Sequence, residues 1–395
     1  MIIGPACIVT GGLEPRVIED GGVRVAGAHI AQVGPIGPIA AAFPDETVWP
    51  AGGRLLLPGL VNAHAHLARH LARGLGLESA KEWDRYDRAL APEDVRCAAR
   101  AALVEGVRHG ITTTCDLHRS GSFLDFSLSE VAEAASALGV RVVTAYAAHE
   151  DDAPNQRRAA IDESLGLIAE LRRLRQGRVH ALLGMRARTP AGLARILDDM
   201  EQHAGAAVGV HVELSAEASH ETRWLDRALE RQSLWAHVED AWSGLGPELD
   251  RAQALAVTGP GAALRPEAPT AWGSDSGVHA PPALERSGSM EASWLHYHRV
   301  MTSGARWAEH VFGEGFGVLE PGAPADCILV DYRPATHLQS STLHAHLAAC
   351  LGRAAVSGAM VAGEIVMDHG VLVSVDEAEV VGRARECARR LWQRL

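Results

Sequence analysis

Along the first 57 residues, short apolar runs alternate with turn residues. Ile2-Ile3, Ala6-Cys7-Ile8-Val9, Val23-Arg24-Val25 and Ile30-Ala31-Gln32-Val33 are separated by Gly11-Gly12, Gly21-Gly22, Gly34-Pro35 and Gly37-Pro38. This is the pattern of hairpin-rich antiparallel β-structure. From residue 58 to about 319 the texture changes to short apolar strands alternating with longer amphipathic helices. The strands are expected at 60–65, 111–117, 140–147, 179–185, 207–214, 233–237, 254–258 and 270–275, and helices at 92–109, 128–138, 157–175 and 190–203 among others. Eight such alternations predict an α/β fold, a parallel (β/α)8 TIM-like barrel rather than an open sheet. β-rich texture returns after Gly317, and the chain closes with a helix over 376–395. The flanking segments 1–57 and 320–375 are each too short for a core of their own. They are expected to pair into one composite β-sandwich, with the barrel, 58–319, inserted between them.

Composition narrows the class. The 395 residues are 47% hydrophobic and 22% charged, an ordinary globular profile. A net charge of −12 argues against nucleic acid or an anionic membrane as partner. No charge-free apolar stretch is long enough to span a bilayer, and Met1-Ile2-Ile3-Gly4-Pro5 reads as a strand start rather than a signal peptide. The six cysteines are scattered without a Cys-x-x-Cys pair, which predicts reduced thiols in a cytoplasmic protein.

The candidate chemistry begins where the first barrel strand ends. In Leu60-Val61-Asn62-Ala63-His64-Ala65-His66, residues two apart share a face, so His64 and His66 project together and suit one metal ion. In a parallel barrel the chemistry lies at the C-terminal strand ends. There strand five offers His211-Val212-Glu213 and then Glu217, strand six ends in His237, and strand eight ends in Asp275. Histidines and carboxylates closing four different strands make a metal-hydrolase constellation: His64, His66, His211, Glu213, His237 and Asp275 are the candidate ligands.

Four stretches carry a family resemblance: Pro58-Gly59-Leu60-Val61-Asn62-Ala63-His64-Ala65-His66-Leu67 with Ala72-Arg73-Gly74; Trp83-Asp84-Arg85-Tyr86-Asp87-Arg88-Ala89-Leu90 before Pro92-Glu93-Asp94-Val95; Gly110-Ile111-Thr112-Thr113-Thr114 through Asp116-Leu117-His118; and Gly317-Val318-Leu319-Glu320-Pro321-Gly322. The chain resembles the amidohydrolase superfamily, and within it the SsnA-type aminohydrolase branch, near the guanine deaminases and triazine hydrolases. The resemblance implies a metal-dependent barrel with a composite sandwich, and hydrolytic deamination of a nitrogen heterocycle. It implies that His64, His66, a strand-five histidine and Asp275 hold the metal. His237 would position water or substrate, and a glutamate after the strand-five ligand would shuttle protons. Branch members are usually dimers, so a homodimer is expected.

Strand five departs from the branch, which usually reads His-x-His-x-x-Glu. Either Glu213 replaces the ligand and Glu217 shuttles protons, or His211 takes the metal and Glu213 is the acid/base. Strand four has Arg186 where the branch places a substrate-facing histidine; it can grip an anionic or electron-rich substrate atom, or pair with a barrel carboxylate. His118 after strand two and Trp83 before the first barrel helix are further substrate-facing candidates. Binuclear relatives bridge their metals with a carboxylated lysine. The only lysine, Lys81, lies outside the strands, so one divalent ion, zinc or else iron, is expected.

The expected reaction is attack of an activated water on an amino-bearing carbon of a purine, pterin or triazine-like ring, with Asp275, His237, Glu213 and Glu217 as the catalytic groups. The alternatives are cleavage of a formimino, amidine or C–Cl bond by the same machinery, or a degenerate member that binds a small ligand without turnover.

Overall fold

The computed structural model describes residues 1–175, 177–204, 208–214, 232–238, 254–259, 270–277, 297–313, 315–351 and 353–395, together with Leu249, Ala252 and His279. Two nine-stranded sheets organise it.

The first sheet joins the two ends of the chain. Leu55–Pro58 runs parallel to Ile2–Val9 and antiparallel to Cys327–Val330, and Val356–Val361 and Glu364–Asp368 follow outward. The continuous apolar run Leu55-Leu56-Leu57 is explained by burial on both faces. Leu56 packs with Ile3, Ile8, Trp49 and Leu329 in the sheet's own core, whereas Leu55 and Leu57 join the large core shared with the barrel helices. With side chains alternating between faces, a strand buried on both sides has no polar position. Gly37-Pro38, expected as a turn, lies in the first turn of a helix, Ile36–Ala42. Proline fits there because first-turn N–H groups have no intrahelical partner.

The second sheet is the barrel. Its eight strands are Leu60–Ala65, Ile111–His118, Arg141–His149, Leu183–Ala187, Val210–Leu214, Ser233–Ala236, Leu255–Thr258 and Ala271–Trp272, parallel throughout and paired in sequence order. The expected strand over 179–185 is instead two pieces. Val179–Ala181 pairs beside the third strand, and after a break at Leu182 the barrel strand proper extends to Ala187, which carries Arg186 inside it. An isolated bridge between Ala65 and Asp275 joins strand eight to strand one. Gly273 makes that approach possible: a Cβ there would stand 2.8 Å from both the Cβ and the carbonyl oxygen of His64.

Local signals set the helices. Pro92 opens Pro92–Arg108, where the Asp94 carboxylate accepts the Ala91 N–H at 2.8 Å. Gly139, in the left-handed region at φ 81°, ends Ser127–Leu138. None of the described helices is long and apolar enough to cross a membrane.

Candidate metal centre

The ends of strands one, five and six bring four imidazoles together. Around the His64 ring, at centroid distances of 4.9, 5.0 and 5.2 Å, stand those of His66, His211 and His237. His64, His66 and His211 are buried, while the side chains of His237 and Asp275 are 26% and 35% exposed. The open edge of the site, where a substrate can enter, is therefore the strand-six and strand-eight side.

Asp275 lies at the focus. Its Oδ1 is 3.3 Å from His66 Nε2, 3.8 Å from His237 Nε2 and 4.0 Å from His64 Nε2. His237 and Asp275 both adopt left-handed backbone, at φ 60° and 52°. For non-glycine residues this costs about 1–3 kcal/mol each and recurs where function over-determines the geometry. The Asp275 turn is pinned by Asp275 N–H to His64 O at 3.1 Å and His66 N–H to Asp275 O at 3.0 Å.

Each ring is oriented from behind. His66 Nδ1–H donates to Leu117 O at 2.7 Å, which leaves the Nε2 lone pair aimed inward. His64 Nδ1 and His211 Nε2 are 2.9 Å apart and share one proton in a hydrogen bond. His64 Nε2, His66 Nε2 and Glu213 Oε2 are buried without a hydrogen-bond partner. Buried polar atoms normally find one, so donors of these types converging here fit a divalent cation. His64, His66 and Asp275 can hold it, each offering one atom within 4.8 Å of the others.

Strand parity is as expected in strand five: Val210, Val212 and Leu214 pack outward, and His211 and Glu213 turn inward. Glu213 stands opposite Arg186 in the register. Arg186 Nε accordingly meets Glu213 Oε1 at 3.1 Å, while Oε2 lies 3.4 Å from His66 Nε2. Arg186 thus takes the carboxylate-pairing alternative. Burial pushes the Glu213 carboxyl up, but Arg186 and the facing imidazoles outweigh it and hold it below its ordinary range. Asp275 is likewise held low against burial, by His237 and then His66. Burial drives His64 and His66 well below, and His211 to about 3, so the rings are neutral near pH 7.

The remaining candidates fall elsewhere. His118 Nε2 bonds Ser120 Oγ at 2.9 Å and its ring edge meets Tyr146. Cys115 and Leu117 belong to the barrel-interior cluster, so His118 lies on the helix-facing side of strand two and not beside the imidazoles. Trp83 sits under the Arg69 guanidinium at 4.7 Å. Glu217 lies outside the described residues. Sequence reasoning passed over the supports. Buried Arg69 pairs through two bonds with Asp87, at 3.1 and 2.8 Å. Asn62 makes two bonds to Ser274, the residue before Asp275. Asn62 was signalled only as a polar residue in an apolar strand; Arg69 and Asp87, in the helical segments Leu67–Ala72 and Ala80–Ala89, carried no such signal.

Residues 55–258, more than half of the chain, match the sequence model of the amidohydrolase family. The chain belongs to that family. Among curated relatives of this amidohydrolase is the 5-methylthioadenosine/S-adenosylhomocysteine deaminase of Pelotomaculum thermopropionicum, 27% identical over 442 aligned positions that cover 100% of this chain and 99% of the relative. Among solved structures, a mutant atrazine chlorohydrolase from Arthrobacter aurescens with zinc and atraton superposes at a TM-score of 0.77, with 19% identity, covering 98% of this chain and 99% of that one. An adenosine deaminase from Xanthomonas campestris with bound zinc gives 0.73, with 20% identity and coverage of 99% and 98%. At these identities the two structures bear on the fold of the amidohydrolase, which they share.

Proposed function

We propose that this amidohydrolase deaminates an amino-substituted purine by hydrolysis, with an adenine-type nucleoside as the first class to test. The observation that carries the reading is the convergence of the unpartnered Nε2 atoms of His64 and His66 on Asp275 at the barrel mouth. The deaminase relative, aligned along the whole chain, supports the purine.

His64, His66 and Asp275 would hold a divalent cation, which would supply the Lewis acidity that makes a water nucleophilic near neutral pH. The chain's own groups do the rest. Asp275, kept ionised by its imidazole neighbours, takes the proton of the attacking water. His237, on the open edge, steadies the oxygen as charge develops on it. Glu213 or Glu217 passes a proton to the ring nitrogen and then to the departing amine. The C–N bond breaks as the new carbonyl forms, and ammonia leaves. Arg186 keeps Glu213 anionic and borders the pocket; Trp83 and His118 shape its surroundings from behind. The catalytic centre holds one ion, zinc in this reading, and the protein acts as a cytoplasmic homodimer.

The test is ammonia release and the accompanying ultraviolet change from 5-methylthioadenosine, S-adenosylhomocysteine, guanine and an aminotriazine, with zinc-loaded enzyme. Turnover without ammonia would shift the reading to C–Cl, formimino or amidine cleavage. A chain that binds zinc at the His64 site in no condition, with no turnover, would leave the ligand-binding alternative. A monomer by light scattering at micromolar concentration would remove the dimer.

A further inference from the structure

A second cluster lies outside the catalytic centre. His70 follows strand one in a short helical turn, Leu67–Ala72; Glu105 is on Pro92–Arg108; His279 follows Asp275 in the strand-eight loop. One atom from each, two imidazole nitrogens and a carboxylate oxygen, lie within 4.8 Å of one another. The two rings stack, with centroids 5.5 Å apart and planes 27° from parallel.

Hydrogen bonding leaves the inner atoms open. His279 is 2% exposed, and its Nδ1 is engaged with Ser274 Oγ at 3.0 Å. The opposite nitrogen, Nε2, is buried with no partner, and so is His70 Nδ1. Glu105 Oε2 is 3.8 Å from His70 Nδ1, too far for a hydrogen bond. Two ligand atoms on one tetrahedral zinc stand about 3.4 Å apart, so sub-ångström shifts would close this set on an ion.

We propose that His70 Nδ1, His279 Nε2 and Glu105 form a second divalent transition-metal site, separate from the catalytic centre. Two histidines and a glutamate are a zinc donor set with a fourth position left for water. The bond from Nδ1 to Ser274 orients the His279 ring as metal-bound histidines are usually oriented. Burial keeps both rings neutral at neutral pH, with His70 near 4 and His279 near 3, so their lone pairs are available. Arg73 binds both Glu105 oxygens, at 2.9 and 2.8 Å. The His279 backbone N–H also donates to Glu105 Oε2, at 3.2 Å, so of about four lone-pair sites one, on Oε1, is left for a metal bond. A cation here ties the strand-eight loop to the first barrel helix. Through His279, Ser274 and Asn62 it stiffens the turn that presents Asp275.

The test counts zinc on the full chain by equilibrium dialysis and elemental analysis. The wild type should take two equivalents at micromolar zinc, and His64→Ala/His66→Ala should retain one and melt at higher temperature when zinc is added. Adding His279→Ala to that variant should abolish both the remaining equivalent and the shift in Tm. Should the double variant fail to fold, His70→Gln in the wild-type chain should lower the count from two to one. A wild-type count of one that His70→Gln leaves unchanged overturns the second site alone. A count of one that His70→Gln abolishes while His64→Ala/His66→Ala keeps it overturns the catalytic-site reading instead.

Discussion

Ala65 has an aspartate on either side. Across strand two it pairs with Asp116, and across the closing bridge with Asp275. The two carboxyls stand at one level of one barrel and have opposite chemistry. Asp116 points into the layer between strands and helices, where Leu67 N–H and Thr144 Oγ1–H bond it at 2.9 and 2.8 Å. Those bonds lower its pKa, but burial dominates and pushes it up to about 7. Asp275 faces three imidazoles, of His64, His66 and His237, at the mouth and is held below the ordinary range. Distance along the barrel axis does not decide which aspartate does chemistry. In the proposed reading the face of the sheet does, because among the described residues the unpartnered Nε2 atoms of His64 and His66 lie on the side of Asp275.

The largest expected contrast is catalytic. Asp275→Asn should lower kcat by about 10²–10⁴-fold, whereas Asp116→Asn should leave both zinc content and kcat within a few-fold of wild type. Equal losses in the two variants would dissolve the comparison. Next comes Glu213→Gln, expected to weaken zinc retention about 10–100-fold in chelator competition as well as slow turnover. Glu217→Gln should keep the metal and lose mainly kcat. If Glu213→Gln keeps full occupancy, His211 is the strand-five ligand and Glu213 the proton shuttle.

A smaller effect sharpens the strand-eight side. Asn62→Ala strips the buried Ser274 N–H of its acceptor and should cost about 1–3 kcal/mol in urea denaturation. No loss would mean that the Asp275 turn is held by its backbone bonds to strand one alone. The last concerns Asp116 itself. The unfolded carboxyl ionises near 3.8 and the folded one near 7, so between these values the folded state holds the extra proton. Stability contributed by Asp116 therefore falls as pH rises through that window, by at most about 1.4 kcal/mol per unit. Asp116→Asn keeps an acceptor for Leu67 N–H and a donor for Thr144. The variant-minus-wild-type difference should climb from pH 4 to 7, and a flat difference would show Asp116 ionised throughout.

Much of this was legible beforehand because periodicity is local. The His64/His66 spacing and the inward parity of His211 and Glu213 follow from a two-residue repeat, whereas His237 and Asp275 turn in on left-handed backbone just beyond the strands Ser233–Ala236 and Ala271–Trp272. Where reading failed, the determinant was a neighbour in space. Arg186 has two chemical options in isolation, and the register that sets it opposite Glu213 selects one. His118 ends an apolar strand as His66 does, yet the fold turns it to Ser120. The break at Leu182 and the helix carrying Pro38 depend on packing that a short window does not contain.

The sequence by itself determined the α/β alternation and the family, and placed histidines and carboxylates near the strand ends, since these rest on side-chain period and on motifs a few residues long. Only the tertiary structure decided which of two aspartates beside Ala65 is pushed up in pKa and which is held down, which carboxylate oxygen faces His66, and that His70, Glu105 and His279 meet. The physical reason is the same in each case. Ionisation, pairing and metal affinity depend on groups within a few ångströms, and a barrel draws those groups from strands and helices far apart in the chain.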